Sequence, residues 1–465
     1  MQKTDISGTK KITRLDLVSL DKLLKLNQIH ACVIGIGRIG LPTALTIANA
    51  KVPTIGVDIN AELVNKINSG EFPLKDEPGY DKIFADVISQ KLFHATTKIE
   101  EAVPNSDLIL LSLPTPMNKD NIPDYSALRT VGKQLGKFLE PYSLVVVEST
   151  IEPGFIENEL VQIIESENRL VAGKTFGIGV CPENANPGEI LHDFTNLPRL
   201  VGGFDEKTAD IIMETYHHIF PVELIRMPDC KTANAVKLTT NVFRDINIAF
   251  INELAQLFEK LDIDILKVLE AADKKYNFQI HYPGPGVGGP CLPVNSYQLL
   301  NSARKFDSSL LKIVQAGRQI NEGMPSHVIC LLSDALKDAN KAIKNSTVLL
   351  LGISYKANVK DIQLSPAEQI VIKLEELGAK VRIYDPYFKS TKVYGIDTES
   401  DLANSIPGTD GVIIVTPHKE FFDLEPTFLS SKAKNLAVID TRGIMDKRAA
   451  KKAGLIFRGL GRGKI

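Results

Sequence analysis

From His30 onward, short unbroken apolar runs alternate with longer stretches whose apolar positions recur every three or four residues. The runs fit strands buried on both faces and the stretches fit helices, so the alternation predicts a parallel sheet covered by helices. "HACVIGIGRIGLPTALTIANA" gives a strand, a glycine turn and a helix, and "VPTIGVD" gives a second strand ending in Asp58. Further strands are expected in "LILLSLP" (108–114), "SLVVVEST" (143–150), "FGIGVCPE" (176–183) and "RLVGG" (199–203), which together make a doubly wound domain. Residues 231–261 contain neither proline nor glycine and predict one long helix. Another helical region, 308–337, leads into a second α/β series: "TVLLLGISYK", "SPAEQIVIKLEELG", "KVRIYDP", "DGVIIVTPH" and "LAVIDTRG". The expected fold class is α/β, with two Rossmann-type doubly wound domains joined by a long central helix. The boundaries are an N-terminal extension 1–28, a first Rossmann domain 29–210, a central helical domain 211–325 and a second Rossmann-type domain 326–465.

Composition narrows the function classes. The chain has 465 residues, 44% hydrophobic and 24% charged, enough for large cores. A net charge of -2 gives no electrostatic reason to expect nucleic acid or an anionic membrane as partner. Cys32, Cys181, Cys230, Cys291 and Cys330 are an odd, scattered set without CxxC spacing, which points to reduced thiols in a cytoplasm and to no structural zinc. No apolar run has membrane-spanning length, and charge interrupts the first thirty residues where a signal peptide would be apolar. A soluble protein is expected. "MQKTDISGTKKITRLD" is expected to be poorly ordered and "LVSLDKLLKL" to form a short amphipathic helix, neither with assigned chemistry.

Two motifs carry chemistry. Gly35, Gly37 and Gly40 form GxGxxG between a strand and a helix: a tight turn, room for a pyrophosphate and close helix packing. Asp58, at the end of the next strand, accepts hydrogen bonds from a ribose diol and repels a 2'-phosphate, favouring NAD over NADP. The second motif is "GPGVGGPCLPVN" (284–295), which puts Cys291 in an irregular glycine-rich loop. A thiol beside a nicotinamide can add to an aldehyde, and loss of hydride from the thiohemiacetal leaves a hydrolysable thioester. The alternative is a buried cysteine of no function. Lys237 and Asn241 share a helix face, suited to an oxyanion, although this spacing is also common on solvated faces. Glu183 follows a strand at the carboxyl edge of the sheet, as a base for water or as a carboxylate answering a helix dipole. Cys181 is expected to pack, and His281 and His418 are candidate ligand contacts; no metal site is expected.

Taken together the motifs resemble the nucleotide-sugar 6-dehydrogenases, the family of UDP-glucose and UDP-N-acetylmannosamine dehydrogenases. The resemblance runs from about residue 30 to 460 through "GIGRIGLP", "LPTP", "ESTIEPG", "CPENANPGEIL", "KTANAVKLTTNVFRDINIAFINELA", "PGPGVGGPCLP", "GISYKANVKD", "YDPY" and "TPHKEF". "CPE" followed by "NPG", "FRDINIAFINELA" and "IHYPGPGVGG" are closer to the N-acetylmannosamine branch. The resemblance implies two NAD-dependent oxidations of C6 of a UDP-sugar, with Cys291 as nucleophile, Lys237 and Asn241 on the oxyanion, Glu183 as base and Thr150 positioning water. It places Arg38, Ile39, Thr115 and Thr150 with the glycines at the cofactor. Arg244, His281, Tyr282, Gly286, Gly288, Lys356 and Arg442 fall at the UDP-sugar, and a homodimer is implied. Asn295 stands where the family usually has Asp, so Lys237 is expected to lose a stabilising partner. Pro187 replaces a second glutamate of the UDP-glucose branch, and Gln363-Leu364 replaces Arg-Glu before "SPA". Asn295 leaves open a nucleotide-sugar-binding protein that has lost oxidation, and the two-domain plan alone also fits a single-step hydroxyacid dehydrogenase.

Overall fold

The computed structural model describes residues 12–463. The chain divides into two compact units, the first running to Thr240 and the second starting at Asn241, inside the long helix Cys230–Lys260.

In the first unit, eight strands form one sheet: β1 (Ala31–Ile34), β2 (Thr54–Val57), β3 (Phe93–Thr96), β4 (Leu108–Leu111), β5 (Leu144–Val147), β6 (Gly177–Val180), β7 (Arg199–Gly203) and β8 (Leu224–Arg226). Their order is β3-β2-β1-β4-β5-β6-β7-β8, with the winding reversed between β1 and β4. Strand side chains alternate between faces, so Ala31 and Val33 enter one core cluster while Cys32 and Ile34 enter the other. Burial on both faces is why these strands read as unbroken apolar runs. One expectation fails here. β7 pairs antiparallel with β6, so the sheet is mixed toward that edge. β3, half exposed as "FHAT", and the three-residue β8 give no apolar run and were not foreseen.

The part of the extension seen in the structure belongs to this core. The expected short helix forms at Leu17–Lys25, capped by Asp16, and Ile12, Leu20 and Leu24 are fully buried. Arg14 stacks 3.6 Å over the ring of Tyr142. Of the stretch expected to be poorly ordered, residues 1–11 lie outside the described residues.

The second unit carries a sheet of β9 (Thr347–Leu351) and β10 (Lys380–Tyr384), a small hairpin of β11 (Lys392–Val393) and β12 (Ile396–Asp397), then β13 (Gly411–Ile414), β14 (Ala437–Asp440) and β15 (Ile456–Gly459). The main sheet is parallel, ordered β10-β9-β13-β14-β15, which is a doubly wound order with its reversal between β9 and β13. Helix Lys312–Asp338 continues through Pro325 into the core beneath it.

The two sheets share one local device. In the first, Asp58 at the end of β2 accepts the N–H of Ile36 at 3.1 Å. In the second, Asp385 at the end of β10 accepts the N–H of Ile353 at 2.8 Å. Asp58 is half exposed, whereas Asp385 is buried against His418, whose Nε2 lies 3.0 Å from it. His418 Nδ1 accepts the N–H of Asn358, so the ring is the Nε2–H tautomer donating to Asp385. Burial pushes the Asp385 carboxyl up, but the bond from His418 and the backbone N–H groups of Ile353 and Tyr387 outweigh it and hold it below the usual range. The expectation that His418 contacts a ligand is therefore corrected: it is a buried clamp on the loop that carries Lys356.

Candidate active site

The glycines of "GIGRIG" divide their roles. Gly35 has φ +89°, and a Cβ there would lie 2.4 Å from the Ser112 carbonyl oxygen. A Cβ on Gly40 would lie 1.8 Å from the Gly35 carbonyl oxygen, so this glycine lets helix Gly40–Asn49 start against the turn. A Cβ on Gly37 would meet nothing within 4 Å, leaving open space where a pyrophosphate would approach the backbone. Asp58 Oδ1 accepts the N–H of Asn60 and Oδ2 that of Ile36, fixing the carboxylate while each oxygen keeps a lone pair for a ribose hydroxyl. These residues fit an NAD molecule. Ile39 precedes the helix, whereas the Arg38 guanidinium is tied to Asp76 at 2.6 Å and Glu77 at 3.3 Å. Glu77 also accepts the N–H of Gly188, joining the glycine turn to the "NANPG" loop. Thr115 and Thr150 meet at the carboxyl ends of β4 and β5, where the Thr115 hydroxyl donates to the Thr150 carbonyl at 3.0 Å. Asp58→Ala is expected to raise KM for NAD about tenfold or more and to narrow the preference over NADP, since a charge-assisted bond contributes about 1.5–3 kcal/mol. Steady-state kinetics with both cofactors checks this.

Glu183 sits just past β6 and is anchored on both oxygens. Oε1 accepts the N–H groups of Asn184 (2.6 Å) and Ala185 (2.7 Å), and Oε2 accepts from Arg199 Nη2. Lys237, 8% exposed, donates from Nζ to Asn184 Oδ1 at 3.1 Å, which brings the lysine and the glutamate into one neighbourhood. Behind them lies Glu148, 2% exposed, bonded by the Tyr216 hydroxyl at 2.8 Å and 3.5 Å from Arg199 Nη1. Burial pushes the Glu148 carboxyl up to about 7 against the pull of Arg199. Cys181 is fully buried, and burial drives its thiol up to about 12, as suits packing.

In the second unit, Cys291 is exposed and stands at the end of the glycine-rich loop. It is the residue before helix Leu292–Arg304 and its carbonyl starts that helix by accepting the Asn295 N–H at 2.8 Å. The preceding glycines are needed for the protein's own packing. A Cβ on Gly284 would lie 2.6 Å from Arg442 Nη1, on Gly288 2.5 Å from the Leu364 oxygen, and on Gly289 2.6 Å from Tyr355. Gly286 takes φ +131° beside Pro366. The Gly289 N–H donates to Gln363 at 2.9 Å through its carbonyl, so the departure from Arg-Glu at 363–364 leaves the backbone bond intact.

A buried polar chain holds this loop. Asn252 Oδ1 accepts the Gly284 N–H (2.9 Å), and Asn252 donates to Asn321 (2.9 Å). Asn321 donates to Asp245 (2.8 Å), which is also bonded by Arg318 (2.9 Å) and Ser296 (2.7 Å). Asn295, 2% exposed, accepts from Asn241 Nδ2 and donates to Gln298 Oε1. The amide thus uses both its donor and its acceptor, a pattern an aspartate cannot supply, so Asn295 forms a matched set with Gln298. Arg442 donates from Nε to the Val415 carbonyl, and burial pushes its guanidinium below the usual arginine range, to about 10, still charged at neutral pH. Lys356 is half-buried in its loop. Arg244, Tyr282 and His281 are exposed or nearly so, and His281 Nδ1 lies 3.0 Å from the Gln279 carbonyl.

Sequence reasoning missed Arg199, Glu148 and the chain Asp245–Asn252–Arg318–Asn321. A signal existed for the last: Asn234, Lys237, Asn241, Asp245 and Asn252 recur at helical spacing, a polar seam on a buried helix face. Among the described residues no group of three or more His, Cys, Asp or Glu gathers as a metal-ligand set, and no helix is long and apolar enough to cross a membrane.

Family comparison matches this arrangement part by part. The NAD binding domain of the UDP-glucose/GDP-mannose dehydrogenase family matches residues 29–220, its central domain 231–323 and its UDP binding domain 349–447. The chain belongs to the UDP-glucose/GDP-mannose dehydrogenase family. As a member it is an NAD-dependent nucleotide-sugar 6-dehydrogenase. It is 34% identical over 433 residues to a UDP-N-acetyl-D-mannosamine dehydrogenase of Pyrococcus horikoshii, covering 93% of this chain and 99% of that relative. The solved structure from that organism aligns with a TM-score of 0.87 at 32% identity, over 94% of this chain and 100% of the other. A UDP-glucose dehydrogenase of Pyrobaculum islandicum aligns at 0.81 with 25% identity, over 93% and 98%. Family members of both specificities therefore share the fold described above.

Proposed function

We propose that this dehydrogenase oxidises UDP-N-acetyl-D-mannosamine twice at C6, to UDP-N-acetyl-D-mannosaminuronate. NAD, when bound, supplies the hydride acceptor. Cys291 Sγ adds to the C6 aldehyde formed by the first oxidation, and the second turns the thiohemiacetal into a thioester. Water then attacks the acyl carbon, the C–S bond breaks, the Cys291 thiolate leaves and Glu183 takes the water's proton. Lys237 and Asn241 stabilise the oxyanion, Asn295 holds Asn241, and Thr150 positions the water. Arg244, His281, Tyr282, Lys356, Arg442 and the backbone at Gly286 and Gly288 hold the UDP-sugar.

The observation that carries the reading is an exposed Cys291 at the head of a helix, fixed by a fully buried polar chain, in a protein whose other half is an NAD turn. A single-step dehydrogenase has no use for that thiol. The mannosamine branch is favoured by full-length similarity to relatives named for that sugar. All five cysteines are free, which fits a cytoplasmic enzyme. Phe243, Phe250 and Leu257 are each about half exposed along one stripe of the long helix, a face suited to a second copy of the chain and hence to a homodimer.

The test is NADH formed per sugar consumed, with UDP-N-acetyl-D-mannosamine, UDP-N-acetylglucosamine and UDP-glucose offered separately. Two NADH with the mannosamine sugar alone is expected. Two with another sugar moves the specificity, one points to a single step, and none despite binding points to a protein that has lost oxidation.

A further inference from the structure

We propose that Arg199 is a positioning residue for the hydrolytic half of the reaction, holding Glu183 so that one defined lone pair receives the proton of the attacking water. The proposal rests on the reading of Glu183 as the base.

Arg199 is 4% exposed on β7, inside a box of aromatic rings. Its guanidinium carbon lies 3.8 Å from the Phe220 ring centre, 4.6 Å from that of Phe194 and 5.8 Å from that of Tyr216. A cation taken this far from water is costly unless paired. Two carboxylates compete for it, and the bonds are unequal: 2.5 Å from Nη2 to Glu183 and 3.5 Å from Nη1 to Glu148. Nη1 also lies 3.9 Å from Cys181 Sγ. The cation is committed chiefly to Glu183, and burial pushes the Glu148 carboxyl up.

Counting lone pairs defines what Glu183 has left. A carboxylate offers about four acceptor positions. Asn184 and Ala185 take both on Oε1, and Arg199 takes one on Oε2. One position on Oε2 remains, on the oxygen that Arg199 holds. The rings of Phe194 and Phe220 stop the guanidinium from turning, so the direction of that lone pair is set from behind by a residue that touches neither sugar nor cofactor. Arginine suits this because its planar fork stacks and donates at once, whereas a lysine ammonium is a single point charge.

The experiment follows acylation and hydrolysis separately, using full-length enzyme, NAD and UDP-N-acetyl-D-mannosamine, or whichever of the three sugars supports turnover. Arg199→Met, Arg199→Lys and Glu183→Gln are compared by rapid-mix NADH formation and by intact-protein mass. Arg199→Met should show a burst of NADH, a slow phase reduced about 100-fold and a sugar acyl group on Cys291, with KM for NAD nearly unchanged; Arg199→Lys should recover part of the rate, to about tenfold below the parent. If Arg199→Met does not fold, Arg199→Lys carries the test through its own slow phase and adduct. A folded Arg199 variant with a free Cys291, or with parental hydrolysis, alongside an acylated Glu183→Gln enzyme overturns the role of Arg199. A Glu183→Gln enzyme that hydrolyses its acyl group normally overturns instead the reading of Glu183 on which the proposal stands.

Discussion

Cys291→Ala is expected to lower sugar-dependent NADH formation by at least about 1,000-fold, because removing a covalent nucleophile leaves only binding and electrostatics. Stability should barely change. The side chain is exposed, and the helix behind it is started by its carbonyl and braced by Pro293, Asn295 and Ser296, all of which remain. Binding of NAD and of UDP, measured by calorimetry, should persist in the variant. Cys291→Ser, with a weaker nucleophile in the same place, should stall after the first oxidation and release little acid. Near-parental turnover in either variant would sink the covalent route and leave a single-step dehydrogenase.

Gly40→Ala is expected to remove cofactor binding and to cost about 3 kcal/mol of stability or more. Its methyl group would fall 1.8 Å from the Gly35 carbonyl oxygen in the turn itself and 3.1 Å from Ser112 Cβ just past β4. Backbone cannot step aside there without opening the turn, since Gly35 is itself held between the Val57 carbonyl and Ser112. Gly37→Ala is the informative contrast. Its methyl would occupy open space, so the fold should stand while KM for NAD rises about tenfold through loss of close backbone approach. Thermal melts and NAD titrations of the two variants separate the roles. Equal stability losses would mean that the two glycines do not divide their work in this way.

Legibility followed how local each signal was. The NAD turn and Asp58 could be read because a glycine turn, a strand and a carboxylate about twenty residues on are a short-range pattern with a backbone cause. The helix after Cys291 was not read because its inner face is polar: Asn295, Ser296 and Gln298 are buried there, so hydropathy shows no stripe. Arg199 looked like the first residue of an ordinary strand. Its partners Glu183 and Glu148 lie 16 and 51 residues away and meet it only once β7 has paired antiparallel with β6. Asn295 seemed a loss because the comparison was with one expected partner, Lys237, while the structure spends its amide on Asn241 and Gln298. The cysteine loop was legible as irregular but not as crowded, since Leu364, Tyr355 and Arg442 arrive from much later in the chain.

A protein with two Rossmann sheets faces a sorting problem, because each sheet offers a dinucleotide a similar seat. Here the second seat is filled from within: the imidazole of His418 sits on Asp385 where a ribose would lie, and neither side chain retains any exposure. The first seat, at Asp58, is left half open. A single histidine thereby closes, in the second sheet, the carboxylate whose counterpart the first sheet leaves accessible.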